Sequence, residues 1–169
     1  MRDRDPFRWW SIAAVSSILA GIAGYGLSMT SASQSTEMDE RCRKEVLELH
    51  QFFQDWFTGK LENTPENLAR FTAVVDEGFQ IVSPEGGVST REQILDRVER
   101  AHGARSALRI WIENYSSRPL AEGVQLVSYE EWQETEGQTR GRISTAVFTH
   151  ASQAPNGVRW VRVHETWLP

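Results

Sequence analysis

The sequence predicts an α+β domain in which three N-terminal helices pack on a curved, mainly antiparallel sheet. Three observations carry that expectation. Between Met38 and Gly103, one short hairpin apart, apolar residues recur every three or four positions, the repeat of an amphipathic helix. Over 108–168 they alternate in four runs separated by turn-forming stretches, the repeat of half-buried strands. Helices that come first and a meander of strands that follows segregate into two layers, with the helices on one face of a strongly bent sheet.

The first helix is expected over 38–58, where Thr36 or Asp39 can cap the start and Gly59 can end it in a left-handed conformation. Cys42, Val46, Leu49, Phe53, Trp56 and Phe57 make its apolar stripe, with His50 alongside. A second helix opens at Thr64-Pro65, where proline suits the first helical position, and turns Leu68, Phe71, Val74 and Val75 inward. "FQIVSPEGGVS" reads as a short strand, a turn at 84–87 and a brief return. In "TREQILDRVERAHG", Thr90 and Gln93 form a capping box, Ile94, Leu95, Val98 and Ala101 are the buried stripe, and Gly103 closes the third helix. His102 sits in the last turn, where the helix dipole favours a histidine in a structural role. Four strands follow, over 108–117, 123–136, 139–151 and 158–168.

A two-residue loop at Gly137-Gln138, with glycine first, suits a type II′ turn and sets the register. It places Glu136 opposite Thr139, Glu131 opposite Ser144 and Tyr129 opposite Ala146. One face of the sheet then carries Leu126, Ser128, Glu130, Trp132, Ile143, Thr145, Val147 and Thr149, joined by Ile110, Ile112, Val161, Val163, Glu165 and Trp167. Being the more apolar, it is expected to meet the helices. The other carries Arg109, Trp111, Glu113, Tyr129, Glu131, Arg142, Phe148, Arg162 and His164, a mixture of aromatics and charges suited to association.

At 169 residues, 40% of them hydrophobic, the chain suffices for one domain with some surplus. The surplus is N-terminal: residues 9–29 include no charge, three arginines precede them and "TSASQST" follows. An export signal fits this layout. So does a membrane anchor, since such a run just reaches across a bilayer. So does a misassigned start, with the true chain opening at Met38. Residues 1–37 are therefore set apart as a hydrophobic segment and linker, and 38–169 as the domain. The protein is cytoplasmic if it starts at Met38 and otherwise exported or anchored, and a membrane is a partner only if 9–29 is an anchor.

The formal net charge is −5 and no basic stripe occurs, which argues against nucleic acid as a partner. The single cysteine, Cys42, has no disulfide partner and no zinc-type companions, and reads as a small buried apolar residue. The four histidines are not spaced as metal ligands, and Gly86-Gly87 is a turn and not a phosphate loop, so neither metal nor cofactor is expected.

Glu165 is the inward carboxylate of this reading. Between Val163 and Trp167 it would be partly desolvated, which lifts a carboxyl toward general-base range. The structural alternative is a pairing with an arginine or with a helix backbone amide near the rim. Trp56, Ile112, Trp132, Thr145, Val147, Val163 and Trp167 complete the expected ligand-binding wall. His50 could reach the same space or serve as hydrogen-bonded packing. His164, Glu131 and Ser144 fall in a row, yet nothing resembles a nucleophile elbow and an open sheet face offers no oxyanion hole, so no triad is assigned.

The order of elements resembles the nuclear-transport-factor-2-like (NTF2-like, cystatin-like cone) superfamily. The segments "ELHQFFQDWFTG", "RIWIENY", "SYEEWQE" and "VHETWL" further resemble the DUF4440/SnoaL-like group of small bacterial proteins, over about 38–168. The resemblance implies a curved sheet wrapped around a cavity and a homodimer joined through the sheet, here by the face with Trp111, Tyr129, Phe148 and His164. Members of the superfamily bind, associate or catalyse, so no catalytic residue is carried over. The functional expectation is a domain that binds a small, mostly apolar molecule in its cone cavity as a homodimer, with Glu165 as the one weak catalytic candidate. An isomerase-, dehydratase- or cyclase-type enzyme using acid–base chemistry, and a non-catalytic dimerisation module, are the alternatives.

Overall fold

An unbroken helix, α1 (Gly24–Phe57), opens the described residues, 24–169, of this computed structural model. It runs through Thr36 and Asp39 without a break, so neither residue caps a start at Met38. No proline stands between Pro6 and Pro65 to stop the helix earlier. Asp39 is engaged across the layers instead, accepting hydrogen bonds from the Tyr115 and Ser117 hydroxyls of the sheet. Of the apolar run 9–29, the part before Gly24 lies outside the described residues, and no described helix is long and apolar enough to cross a membrane.

Met38, Cys42, Val46, Leu49, Phe52 and Trp56 are buried along one side of α1 at helical spacing. Burial, with the charges of Asp39 and Glu45 added, pushes the Cys42 thiol up to about 12, which leaves it inert. Glu45 is fully buried in the same row and held by four donors: Arg70 Nη1 at 3.1 Å and Nη2 at 3.0 Å, Asn156 Nδ2 at 2.8 Å and Trp160 Nε1 at 3.2 Å. That carboxylate ties α1 to the next helix and to the last strand. A buried charge is tolerable when it is satisfied in this way.

Helix α2 (Pro65–Thr72) starts as expected, with Thr64 accepting from the Asn67 amide. Strands β1 (Val75–Val82) and β2 (Val88–Thr90) form the short hairpin, and α3 (Arg91–Arg100) carries the full Thr90–Gln93 capping box. Gly59 and Gly103 both take positive φ, 75° and 67°. A Cβ on Gly59 would lie 3.3 Å from the Gly103 Cα, so glycine at 59 eases the close approach of the ends of α1 and α3.

Four long strands complete the fold: β3 (Arg109–Ala121), β4 (Val124–Thr135), β5 (Gln138–His150) and β6 (Val158–Trp167). They form one six-stranded sheet in the order β2-β1-β6-β5-β4-β3, antiparallel except where β1 runs beside β6. This is the expected α+β architecture. Its register differs in one consequential way. The β4–β5 loop is Glu136-Gly137, both at positive φ (52° and 78°), the signature of a type I′ turn and not of the II′ turn expected one residue later. Partners move by two positions, so Glu131 lies opposite Arg142 instead of Ser144, and Tyr129 opposite Ser144. A two-residue slip leaves the composition of each face unchanged.

Which face meets the helices is the reverse of the expectation along β4 and β5. Val127, Tyr129, Glu131, Ser144, Ala146 and Phe148 are buried, whereas Ile143 and Thr145 are exposed, and Trp132 and Val147 are half-buried on the opposite face. Two causes combine. The inner face carries the polar groups of a cavity, so counting apolar residues picks the wrong side. A bulge between β5 and β6 then lets Trp160 pair with Phe148 while Arg162 pairs with Val147, leaving Val161 unpaired. Beyond the bulge Val163 and Glu165 still point inward, as expected, and Ile110 and Ile112 also stay on the inner face, opposite Gln133 and Glu131.

Candidate functional site

The curved sheet and the helices enclose a cavity of about 140 Å³. Its walls are apolar: Phe53 and Phe57 from α1, Phe71 from α2, Phe79 and Ile81 from β1, and Val98 from α3. Its floor is not. His50, Tyr129, Glu131, Gln133, Arg142 and Glu165 all line it. Strand alternation positions this floor, since Glu131 and Arg142 face each other across β4 and β5, and Ser144 faces Glu165 across β5 and β6.

Glu131 is the hub. It accepts from His50 Nε2 at 3.2 Å, from Arg142 Nε at 3.1 Å and Nη2 at 2.6 Å, and from Gln133 Nε2 at 2.6 Å. Burial alone would push this carboxyl up. The charge and hydrogen bond of His50, together with Arg142, outweigh that and hold it at about 2. The other ring nitrogen of His50, Nδ1, lies 2.6 Å from the Val46 carbonyl. With an acceptor on each side, the ring makes both bonds only when both nitrogens carry protons.

Glu165 forms an ion pair with the same guanidinium, its Oε1 3.0 Å from Arg142 Nε, whose one hydrogen goes to Glu131. Here burial prevails: with Glu131 repelling it, and despite Arg142, the carboxyl rises to about 7. Arg142 itself is raised, burial opposing and the two glutamates outweighing it. Tyr129, fully enclosed between these carboxylates, has its hydroxyl pushed well up, first by burial and then by Glu131 and Glu165. The cavity thus offers a fixed anion, a carboxyl poised between its two states, a phenol and an amide, all within apolar and aromatic walls.

The expected ligand-wall residues fall into three groups. Val163 and Glu165 line the cavity, and Trp167 lines a neighbouring pocket. Trp56 and Ile112 belong to the packing beside it: the Trp56 indole donates to the Val98 carbonyl at 2.7 Å, tying α1 to α3. Trp132, Thr145 and Val147 are on the far face of the sheet, where Trp132 stacks on Trp111 at 6.2 Å. Of the four residues expected on an outer association face, Trp111 and His164 are there, while Tyr129 and Phe148 are buried in the core. Neither of the two can anchor a surface contact. The floor residues missed from the sequence are Tyr129, Glu131, Gln133 and Arg142. Reading the turn correctly would have put Glu131 opposite Arg142 but not turned them inward, since the slip leaves each face's composition unchanged.

Residues 42–169 match the family model described as sucrose-6-phosphate phosphohydrolase C-terminal. The chain is 28% identical over 128 residues to sucrose-phosphatase 1 of Nicotiana tabacum, covering 73% of this chain and 30% of that protein. It is 26% identical over 125 residues to a probable sucrose-phosphatase 2 of Arabidopsis thaliana, covering 73% and 29%. The matched part is therefore less than a third of the curated relatives' length. Among solved structures, an NTF-2-like protein of unknown function from Pseudomonas aeruginosa aligns with a TM-score of 0.69 at 24% identity, over 76% of this chain and 99% of that one. A domain of unknown function with a cystatin-like fold from Nostoc punctiforme aligns at 0.51 and 16% identity, over 72% and 75%. These likenesses show the fold, which is the NTF2-like, cystatin-like cone. The family match overturns the functional expectation of an uncharacterised cone that binds a mostly apolar molecule. The charged floor of the cavity disagrees with an apolar ligand on physical grounds as well.

Proposed function

The chain belongs to the sucrose-6-phosphate phosphohydrolase C-terminal family, and on that premise we propose that it is an accessory domain in sucrose-phosphate hydrolysis, one that holds sugar while phosphate is removed at another site. The observation that carries this reading is the match of 42–169 to a segment that is only about 30% of the sucrose-phosphatase of Nicotiana tabacum.

The cavity supports it by its chemistry. Sugar hydroxyls both donate and accept, so they pair with carboxylates, a guanidinium and an amide at once, while the C–H faces of the ring lie against aromatic walls. Glu131 spends its oxygens on His50, Arg142 and Gln133, which suits a fixed acceptor and not an attacking group. The test is hydrolysis. Alone, the chain should release no phosphate from sucrose 6-phosphate. Fused to the catalytic part of a sucrose-phosphatase, it should lower KM for sucrose 6-phosphate relative to that part without it. Phosphate release by the chain alone, or an unchanged KM and kcat in the fusion, would contradict the accessory role.

A further inference from the structure

Beside the charged floor lies a second pocket of about 390 Å³, lined by Arg105, Arg140, Arg142, Gln133, Thr135 and Trp167, with Glu131 and Glu136 as its carboxylates. The two pockets share Glu131, Gln133 and Arg142 as lining residues, so a ligand occupying both would touch these three side chains.

Three guanidinium groups line this pocket, and of the three only Arg142 forms an ion pair among the described residues. Arg142 spends Nε and Nη2 on Glu131 and Glu165. Arg105 hangs from the loop after α3, its backbone amide donating to the Phe57 carbonyl at 2.9 Å and its Nη2 to the Thr135 hydroxyl at 3.1 Å. It is part-buried, and among the described residues it has no carboxylate partner. Burial and then the positive charge of Arg142 both act against its ionised form, with Glu131 only partly opposing. Arg140 lies flat on the Trp167 indole, 3.4 Å from the ring centroid, and likewise forms no ion pair among the described residues. Trp167 is fixed in turn by its Nε1, which donates to Glu85 at 2.9 Å. Guanidinium groups that line one pocket, two of them without an ion-pair partner among the described residues, are suited to a planar or tetrahedral oxyanion, which their fork geometry binds through paired hydrogen bonds.

We propose that Arg105, Arg140 and Arg142 form an oxyanion site beside the cavity, which takes the phosphate of a phosphorylated sugar whose ring enters the cavity itself. The identity of the sugar rests on the accessory-domain reading. The oxyanion site itself rests on the three arginines. Free phosphate offers the same chemistry, and the probes below separate the two sources.

The experiment is calorimetric titration of the full chain with inorganic phosphate, sucrose and sucrose 6-phosphate. Sucrose 6-phosphate should bind at least roughly tenfold more tightly than either of the others, the worth of one charge-assisted hydrogen bond. Arg140→Gln, at an exposed position that leaves the fold intact, should remove that advantage, and Arg105→Gln should do the same. Both should leave sucrose binding as it was, and Arg118→Gln on the exposed far end of β3 should change nothing. Phosphate binding as tight as that of sucrose 6-phosphate, and equally sensitive to Arg140→Gln, would keep the oxyanion site and make free phosphate its occupant. Folded wild-type protein that binds neither phosphate-bearing probe, or Arg105→Gln and Arg140→Gln variants that bind both as wild type does, would overturn the proposal. Binding without any gain in the hydrolysis assay would remove the accessory role and leave the site standing.

Discussion

Glu131 receives hydrogen bonds from His50, Gln133 and Arg142, whereas Glu165 has only its ion pair with Arg142. The consequences for pH run in opposite directions. Glu131, held at about 2 against an ordinary 4.5, adds stability above 4.5 that is lost as pH falls from there toward 2. Glu165 is raised to about 7, so between 4.5 and 7 the folded protein keeps a proton that the unfolded chain has released. Its contribution is fully present below 4.5 and is lost as pH rises through 7. Wild-type thermal melts should therefore fall between pH 5 and pH 8, and Glu165→Gln should flatten that decline. At pH 8 the variant should be the more stable by on the order of 2–3 kcal/mol. Parallel profiles for the two proteins would show that Glu165 does not titrate in that interval. Glu131→Gln should behave differently, because it leaves Arg142 and the His50 ring buried beside a neutral amide. A loss of about 3–5 kcal/mol in denaturant unfolding is expected. A loss below about 1 kcal/mol would mean that the network carries little of the fold.

The β4–β5 hairpin decides which residues meet, and its turn is built on an unfavourable residue. Glu136 holds φ 52°, a conformation that a side chain other than asparagine, aspartate or glycine adopts at a cost. Glu136→Asn should raise the melting temperature, with a gain of about 0.5–1 kcal/mol. An unchanged or lowered value would place the strain elsewhere. The same turn marks where the sequence stops being legible. Caps at Thr64 and Thr90, and the glycine after α1, are local chemistry and could be read directly. Helix stripes and strand alternation also need only neighbours in sequence, which is why the α+β cone and its strands were legible. The start of α1 was not: Asp39 resembles a cap, but its partners Tyr115 and Ser117 come from the sheet. Nor was the glutamate turn. Glycine-first and glycine-second loops are both good hairpins, and tertiary packing chose the second. Inner and outer faces were confused for a functional reason. A cavity that needs Glu131, Gln133 and Arg142 makes its own face the more polar one, and this defeats any rule that the apolar side is inside. Val163 and Glu165 were placed inward correctly because β6 beyond the bulge keeps its parity.

At the scale of the whole molecule, the helices close the cone over a polar floor, and a neighbouring pocket is lined by Arg105, Arg140 and Trp167. The far face of the sheet is a separate environment, with stacked Trp111 and Trp132, exposed Ile143 and His164. A sugar-holding accessory domain must use the first surface and not the second. Backbone amide chemical shifts followed by NMR during titration with sucrose 6-phosphate separate the two directly. The changes should concentrate on Phe53, Glu131, Gln133, Arg142 and Glu165, extending to Arg105 and Arg140. Changes confined to Trp111, Trp132, Ile143 and His164, or no saturable change in the folded protein, would contradict a sugar-binding role for the cavity.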